Sequence, residues 1–286
     1  MNNNLLNMAL QLSVQDMFTG SWFSGAMMNQ VWTEMMRAGV NGLLRNTGGA
    51  GLPGALGGSL RGDAAMLRQA SSNVSEAHNM MNMAANAAGN IAGLLKEAGT
   101  LAGDFLNAAQ GLTGPAYDAL RDRYRPLYEA ISNNIDAIIK NTTYNGMALL
   151  DGNAWNRGDE RLTVTRDSGD NPVAASVHIQ AGESGFPLIF SSMSADFSNI
   201  ASGYGLDNPA VRTELSRLQS SAQSLADLYA GRAGSLQGQA TSLQSQAKIL
   251  EEAAAQRAGT PAPVSTESLL LNLILRDGGG LFSRRG

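Results

Sequence analysis

Cysteine is absent from the 286 residues, which excludes disulfides, thiolate metal sites and cysteine nucleophiles. Aromatic residues are scarce, at 6%, so any core rests on Ala, Leu, Ile and Met; with 33 glycines it is thin for a chain of this length, and an elongated body is expected. Charge is sparse too. Only 15% of residues are charged, the formal net charge is -4, and no Lys/Arg block occurs, so the chain carries no electrostatic footprint for nucleic acid. No window approaches the roughly 18 consecutive apolar residues of a spanning helix. The opening MNNNLLNMALQLSVQDMF lacks the basic n-region and uninterrupted apolar stretch of a Sec signal peptide.

Chemistry-bearing residues are equally thin. The two imidazoles, His78 and His178, fall one beside a helical apolar stripe and one in a strand-like alternation. There is no HExxH, no GxSxG between a strand and a helix, and no P-loop. Glu251 and Glu252 are sequence neighbours, so they point to different azimuths of a helix and solvate it. No catalytic, cofactor-binding or metal-ligating residues are assigned, and the protein is expected not to be an enzyme. Asn73-Val74-Ser75 and Asn141-Thr142-Thr143 match the glycosylation triplet at the frequency chance supplies.

The stretch over which the rest of the chain is organised is 132–152, SNNIDAIIKNTTYNGMALLDG. Ile131, Ile135, Ile138 and Ile139 share one helical face. Asn145-Gly146 then marks a two-residue turn, because both residues tolerate positive φ. Met147, Leu149 and Leu150 form a short apolar run closed by a second turn pair, Asp151-Gly152. Helical periodicity hands over to β structure here.

Upstream, residues 5–18 and 22–46 are apolar, charge-poor and helix-prone, and include Leu5, Leu10, Trp22, Met28, Trp32 and Met36. That much apolar surface is either an assembly surface or ordinary core folded back onto the body. Residues 47–60 are Gly-rich and read as a hinge or linker. A heptad seam begins at Leu67 and continues through Ala70, Val74, Ala77, Met81, Ala84, Ala88, Ile91, Leu95, Ala98, Ala102 and Phe105, spaced alternately by three and four. Gly111, Gly114 and Pro115 end it. Pro126 divides the next helical stretch into a short helix over 116–124 and a second starting at Pro126.

Downstream of Gly152 the period changes to two. Residues 161–166 (RLTVTR) and 175–180 (ASVHIQ) alternate apolar with polar around a turn-rich 168–172, predicting a β-hairpin, and 186–190 (FPLIF) adds an edge strand where Pro187 is tolerated. Residues 191–207 read as polar loop, ending in a helix start at Asp207-Asn208-Pro209. A second seam runs Val211, Leu215, Leu218, Ala222, Leu225, Tyr229, Leu236, Ala240, Leu243, Ala247, Leu250 and Ala254, its count broken only at Arg232. After Gly259 and Pro261, residues 265–275 (STESLLLNLIL) form a last apolar helix bearing Leu269, Leu270, Leu273 and Leu275.

Several of these motifs resemble bacterial flagellin. Ile135-Asp136, Ile138, Thr142, Tyr144-Asn145-Gly146 and Leu149-Leu150-Asp151-Gly152 follow the family's run of Ile-Asp, Thr, aromatic-Asn-Gly and Leu-Leu-Asp-Gly. Leu67-Arg68-Gln69-Ala70-Ser71-Ser72-Asn73 is similar to its Leu-x-Gln-Ala-Ser-x-Asn, and Ile179-Gln180-Ala181-Gly182 to its Ile-Gln-x-Gly strand. Order and spacing agree over 67–182. The resemblance implies a mainly α fold, an elongated antiparallel helical coiled-coil rod (61–256) with a small β-hairpin region at about 147–192 inserted between the chain halves. It is flanked by assembly segments at 1–60 and 257–286. It implies a secreted, extracellular structural subunit of the bacterial flagellum that self-assembles through Leu5, Leu10, Trp22, Met28, Trp32, Met36, Leu269, Leu270, Leu273 and Leu275. Implied partners are further copies or other flagellin-family subunits, an export chaperone and the flagellar type III export apparatus. A hook-filament junction protein, or a secreted flagellin-like binding module that does not polymerise, shares the same architecture. Residues 1–60 lack the family's amino-terminal Asn-Thr-Asn, Ser-Ser-Gly and Arg-Ile-Asn pattern. Gly99-Thr100 stand where many flagellins carry the Arg-Glu of the innate-receptor site, so strong receptor activation is not expected.

Overall fold

A computed structural model describes residues 53–155, 161–182, 184–198 and 200–259. The elements in chain order are α1 (Pro53–Ala108), α2 (Pro115–Asn141), β1 (Thr143–Tyr144), β2 (Met147–Ala148), a 3-10 turn (Gly152–Ala154), β3 (Leu162–Arg166), β4 (Pro172–Ala181), β5 (Ser184–Ser191), α3 (Ser194–Phe197), α4 (Ile200–Gly203) and α5 (Val211–Gly259). The protein is mainly helical, with small antiparallel β structure between the helical halves. Within the described residues two compact units form: one from 74–155, 161–180, 184–198 and 200–237, the other from 53–73, 181–182 and 238–259.

In the larger unit α1 carries the core. Every predicted seam position from Val74 to Phe105 is buried, because a three-and-four spacing keeps these residues on one stripe of a 3.6-residue helix. The stripe is wider than the seam: Met80, Ala85, Ala87 and Ala92 are buried beside it. The facing helix is α5, and their chain directions oppose. Gly103 lies under the Arg212 guanidinium, Gly99 faces Leu215, and Gly89 faces Ala226. His78 Nδ1 then sits 2.8 Å from the Ala233 carbonyl oxygen.

The α5 stripe corrects the predicted one. Leu225 and Arg232 are only half-buried, while Ala226 and Ala233 take the inner positions. Spacing is thereby four, then three, on both sides of Tyr229, and the Arg232 discontinuity disappears. A small methyl permits the close helix approach at these levels, and a leucine at 225 covers the flank.

In the smaller unit, Ala64, Leu67 and Ala70 of α1 are buried, as are Ala240, Ala247 and Ala254 of α5. Leu243 and Leu250 remain half-buried. The Ser71 hydroxyl donates to the Ala240 carbonyl at 2.8 Å. Arg68 pairs with Glu251 at 2.6 Å with both side chains exposed, a geometry that contributes about 0–1 kcal/mol in water. An alanine layer buries little area compared with the roughly 1.5–3 kcal/mol of a buried leucine.

Two predicted boundaries move. The Gly-rich linker assigned to 47–60 is helical from Pro53 onward: proline is pre-organised for the first helical turn, and a helix nucleated downstream propagates through glycine at about 1 kcal/mol each. The break predicted at Pro126 is also absent, and α2 runs through it. Proline removes one N–H donor and crowds the carbonyl four residues back, but the turns before it are largely exposed, where water satisfies that carbonyl. Burial of Tyr128, Ile131, Ile135 and Ile139 then holds the second half against the core. Gly114, at φ 59, precedes Pro115 at the first helical position, Asp118 lies in the first turn and Lys140 in the last, each favourable to the helix dipole.

The predicted hairpin forms. β3 pairs with β4 antiparallel, Leu162 opposite Val177 and Val164 opposite Ala175, with a bulge at Thr165/Arg166. The strand order β3-β4-β5 leaves β5 at an edge, as Pro187 requires. β4 begins at Pro172, earlier than its alternation indicates, since proline is tolerated as a first strand residue. The turn is closed by Asp167, whose Oδ1 accepts from the amides of Gly169 and Asn171 at 2.9 Å each. The Asn171 backbone amide, foremost, holds that carboxyl below its ordinary value.

Residues 191–207 are not the polar loop expected. α3 and α4 lie there, and Met193, Phe197, Ile200 and Leu206 are buried. Single apolar residues spaced among Ser, Asp and Gly do not make a periodic signal, yet each fills the core in turn.

Candidate functional site

The predicted pivot becomes a connected structure. α2 ends where Thr142 closes it: its amide donates to the Ile138 carbonyl at 3.0 Å and its hydroxyl to the same oxygen at 2.6 Å. β1 and β2 then pair, Thr143 opposite Ala148 and Tyr144 opposite Met147, leaving Asn145-Gly146 as a two-residue turn. Asn145 has φ 48 and Gly146 φ 75, the pair of positive values that a type I′ turn demands. The predicted turn residues are therefore in place. Gly146 has open space around it, so Gly146→Val meets backbone strain alone. It is expected to cost about 1–2 kcal/mol, read as a shift of the urea midpoint; a wild-type midpoint would contradict a positive φ at this position.

Past the turn the chain is drawn inward. Leu149 and Leu150 are fully buried, the Leu149 amide returns to the Thr142 carbonyl at 2.9 Å, and the Leu150 carbonyl accepts from Met193 at 2.8 Å. Asp151 caps the 3-10 turn by accepting from the Asn153 amide at 3.0 Å. Trp155, buried, donates its indole N–H to the Ala148 carbonyl at 2.8 Å. Gly152 needs no positive φ. A Cβ there would stand 2.2 Å from Ser192 Oγ, 2.8 Å from Ser192 Cβ and 3.1 Å from the Pro172 carbonyl oxygen. Gly185 is confined in the same way between the His178 ring, at 2.2 Å, and the Ile179 carbonyl oxygen, at 2.5 Å.

Two buried tyrosines fasten this region to the helices. Tyr128 of α2 donates to the Tyr204 carbonyl at 2.8 Å, and burial, with Tyr204 beside it, pushes its phenol up to about 12. Tyr229 of α5 accepts from the Ser191 amide at 2.8 Å and packs against Phe190; burial raises its phenol as well. Ser132 Oγ accepts from the Ala201 amide at 3.1 Å. Burial keeps both phenols neutral near neutral pH, and their hydrogen bonds, with that of Ser132, tie the loop segments to α2 and α5.

Asp136 and Lys140, one helical turn apart on α2, form an ion pair. The Lys140 hydrogen bond, foremost, holds the Asp136 carboxyl below its ordinary value, outweighing burial, and Ser198 acts in the same direction. With the folded pKa depressed, the pair's contribution is present above the unfolded carboxylate value of about 3.9 and lost as pH falls through the folded value. Asp136→Asn is accordingly expected to lower stability at pH 7 and to make the loss between about pH 5 and pH 2 shallower than in the wild type, by urea titration across that range. Unchanged acid sensitivity would contradict it.

His78 and His178 sit on α1 and β4 and are not brought together into a dyad: one bonds the Ala233 carbonyl and the other covers Gly185. Among the described residues no group of three or more His, Asp or Glu is placed to hold a metal ion, and no described helix is long and apolar enough to cross a membrane. The proposed assembly residues Leu5, Leu10, Trp22, Met28, Trp32, Met36, Leu269, Leu270, Leu273 and Leu275 lie outside the described residues. No protein-family model matches the chain, and no curated protein matches it.

The described residues form a packed and paired scaffold built from α1, α2, α5 and the hairpins. Gly185, Tyr128 and Trp155 are not distinguished by sequence pattern, and Gly152 and Tyr229 are distinguished only as a turn glycine and a seam position, not for the approach of Ser192 or the bond to Ser191. The one available signal was the pairing of a rare aromatic residue with a short apolar run, as at Trp155 after Leu149 and Leu150.

Proposed function

We propose that the protein is a structural subunit of a bacterial flagellar-type filament, non-enzymatic, exported unfolded and assembled outside the cell. In this reading α1, α2 and α5 bundle as an elongated antiparallel coiled-coil rod, and the β structure forms an insert on it. The observation that carries the proposal is the unbroken burial of the α1 seam from Leu67 to Phe105 together with the type I′ Asn145-Gly146 hairpin at the end of α2. Leu67 and Ala70 at the start of that seam, and Asn145-Gly146, are among the residues on which the likeness to flagellin rests, in the order that likeness implies. The apolar segments carrying Leu5, Leu10, Trp22, Met28, Trp32 and Met36, and Leu269 to Leu275, would make the intersubunit contacts. A head-to-tail heterologous contact propagates as a helical filament, and the ordering entropy of those segments would be offset by the apolar surface they bury on assembly. Subunits would join further copies or other flagellin-family proteins, served by a chaperone and the type III export apparatus.

Limited proteolysis of the purified chain tests the division of labour. Trimming from both ends to a resistant core beginning near Pro53 and ending near Gly259 is expected before assembly, with both ends protected afterwards. Resistance along the full chain before any assembly would contradict the proposal and favour a self-contained binding module.

A further inference from the structure

We infer that Asn145 is a site of spontaneous covalent modification, at which the side-chain amide converts through a cyclic imide with Gly146 to isoaspartate and aspartate. The inference goes beyond the filament reading and holds whether or not the chain polymerises. Asn145 and Gly146 are both exposed, and among the described residues no hydrogen bond holds the Asn145 side-chain amide; the contact there is Arg161 Nη1 at 3.4 Å from its main-chain carbonyl. The Gly146 amide nitrogen donates to no backbone acceptor among the described residues. Gly146 has no side chain to obstruct attack and nothing within 4 Å of where a Cβ would stand. The nucleophile and the electrophile are adjacent, solvated and unoccupied.

In the reaction the Gly146 nitrogen, deprotonated by hydroxide, bonds to Asn145 Cγ. The Cγ–Nδ2 bond breaks, and the amide nitrogen leaves as ammonia with a proton from water. Water then opens the imide at either carbonyl. Cleavage at Cγ returns a normal chain ending the step as aspartate; cleavage at the main-chain carbon gives isoaspartate, in which the backbone runs through Cβ and Cγ. Isoaspartate lengthens a two-residue turn by one carbon and adds a negative charge. A type I′ loop fixes register through its length, so the pairing of Thr143 with Ala148 and of Tyr144 with Met147 opens, and with it the entry of Leu149 and Leu150 into the core.

Other candidates nearby are held. Asp151 precedes a glycine too, but it is buried, its carboxylate accepts from Asn153, and Gly152 is packed under Ser192. The Asn208 side chain accepts from Ala210, and that of Asn171 donates to Asp167. The Asn41-Gly42 pair lies outside the described residues and falls in a different tryptic peptide.

The test is incubation of the folded full-length chain in mildly alkaline buffer, followed by tryptic mapping with isoaspartyl methyltransferase labelling of peptide 141–157. Isoaspartate at 145 is expected to accumulate at least several-fold faster than isoaspartate at 151 or 153 in the same peptide. Gly146→Ala is expected to slow it several-fold, although the added strain loosens the turn, because the methyl obstructs attack. Conversion at 145 no faster than at 153, or undiminished in Gly146→Ala, would overturn the proposal. Asn145→Asp adds the charge without lengthening the backbone; it should retain wild-type hydrogen-exchange protection at Met147 and Leu149, whose amides face β1, and which the isoaspartyl product loses.

Discussion

Phe105→Ala is expected to lower the unfolding free energy by about 3–5 kcal/mol. Phe105 is the last seam residue of α1 and is fully buried. Its ring meets Tyr117 edge-on at 5.8 Å and Tyr124 at 5.7 Å, so one side chain ties the end of α1 to the first half of α2. The neighbouring seam positions, Ala98 and Ala102, are methyls and cannot expand into the vacated volume, and α2 is otherwise largely exposed before Tyr128. The α1 side of the cavity stays unfilled, which places the cost within the range for such truncations. Phe105→Leu keeps most of the apolar volume and should cost roughly 1 kcal/mol. Urea titration gives the free energies, and hydrogen exchange should show amides of α2 before Tyr128 losing protection first. A loss under about 1 kcal/mol for the alanine variant would mean that α2 is held by other contacts.

Gly152→Ala is the second large effect, expected at about 1–3 kcal/mol of overpacking. The added methyl would overlap Ser192, and Ser192 cannot retreat freely: its amide bonds the Val173 carbonyl at 2.9 Å and its hydroxyl lies 3.0 Å from Ser194 Oγ. The Pro172 carbonyl closes the other side. Combining Gly152→Ala with Ser192→Gly removes the two shortest contacts and leaves only the carbonyl. A double-mutant cycle should then show coupling of about 1 kcal/mol or more in the compensating direction. Strict additivity would show that Gly152 is required for some reason other than space.

The contrast between Gly146 and Gly152 shows what the sequence could reveal. Both stand in turn pairs, Asn-Gly and Asp-Gly, and both read as turn glycines. Gly146 is one, because backbone sterics at positive φ are a local property. Gly152 is needed for the approach of Ser192, distant in the chain, and no local pattern reports that. The same division runs through the fold. The α1 seam was legible because burial there follows helical period over many turns. The β3–β4 hairpin was legible because alternation and a turn cluster coincide. The α5 stripe was half legible: Leu225 fits the count better than Ala226, yet the close approach to Gly89 favours the smaller side chain. Pro126 misled because its cost depends on whether the helix is wet at that level. The segment 191–207 misled because Met193, Phe197, Ile200 and Leu206 fill the core without a period. Of the proposed functional residues, the Asn145-Gly146 turn is placed, and the terminal apolar residues lie outside the described structure.

The central claim is that this chain is a filament subunit, and negative-stain electron microscopy of the purified full-length protein at high concentration, with and without sonicated seeds, tests it most directly. The account predicts filaments with a central channel, formed faster with seeds and abolished by replacing Leu269, Leu270 and Leu273 with serine in a protein whose circular dichroism is unchanged. A chain that stays monomeric under both conditions, with its terminal segments already protected from protease, would contradict it.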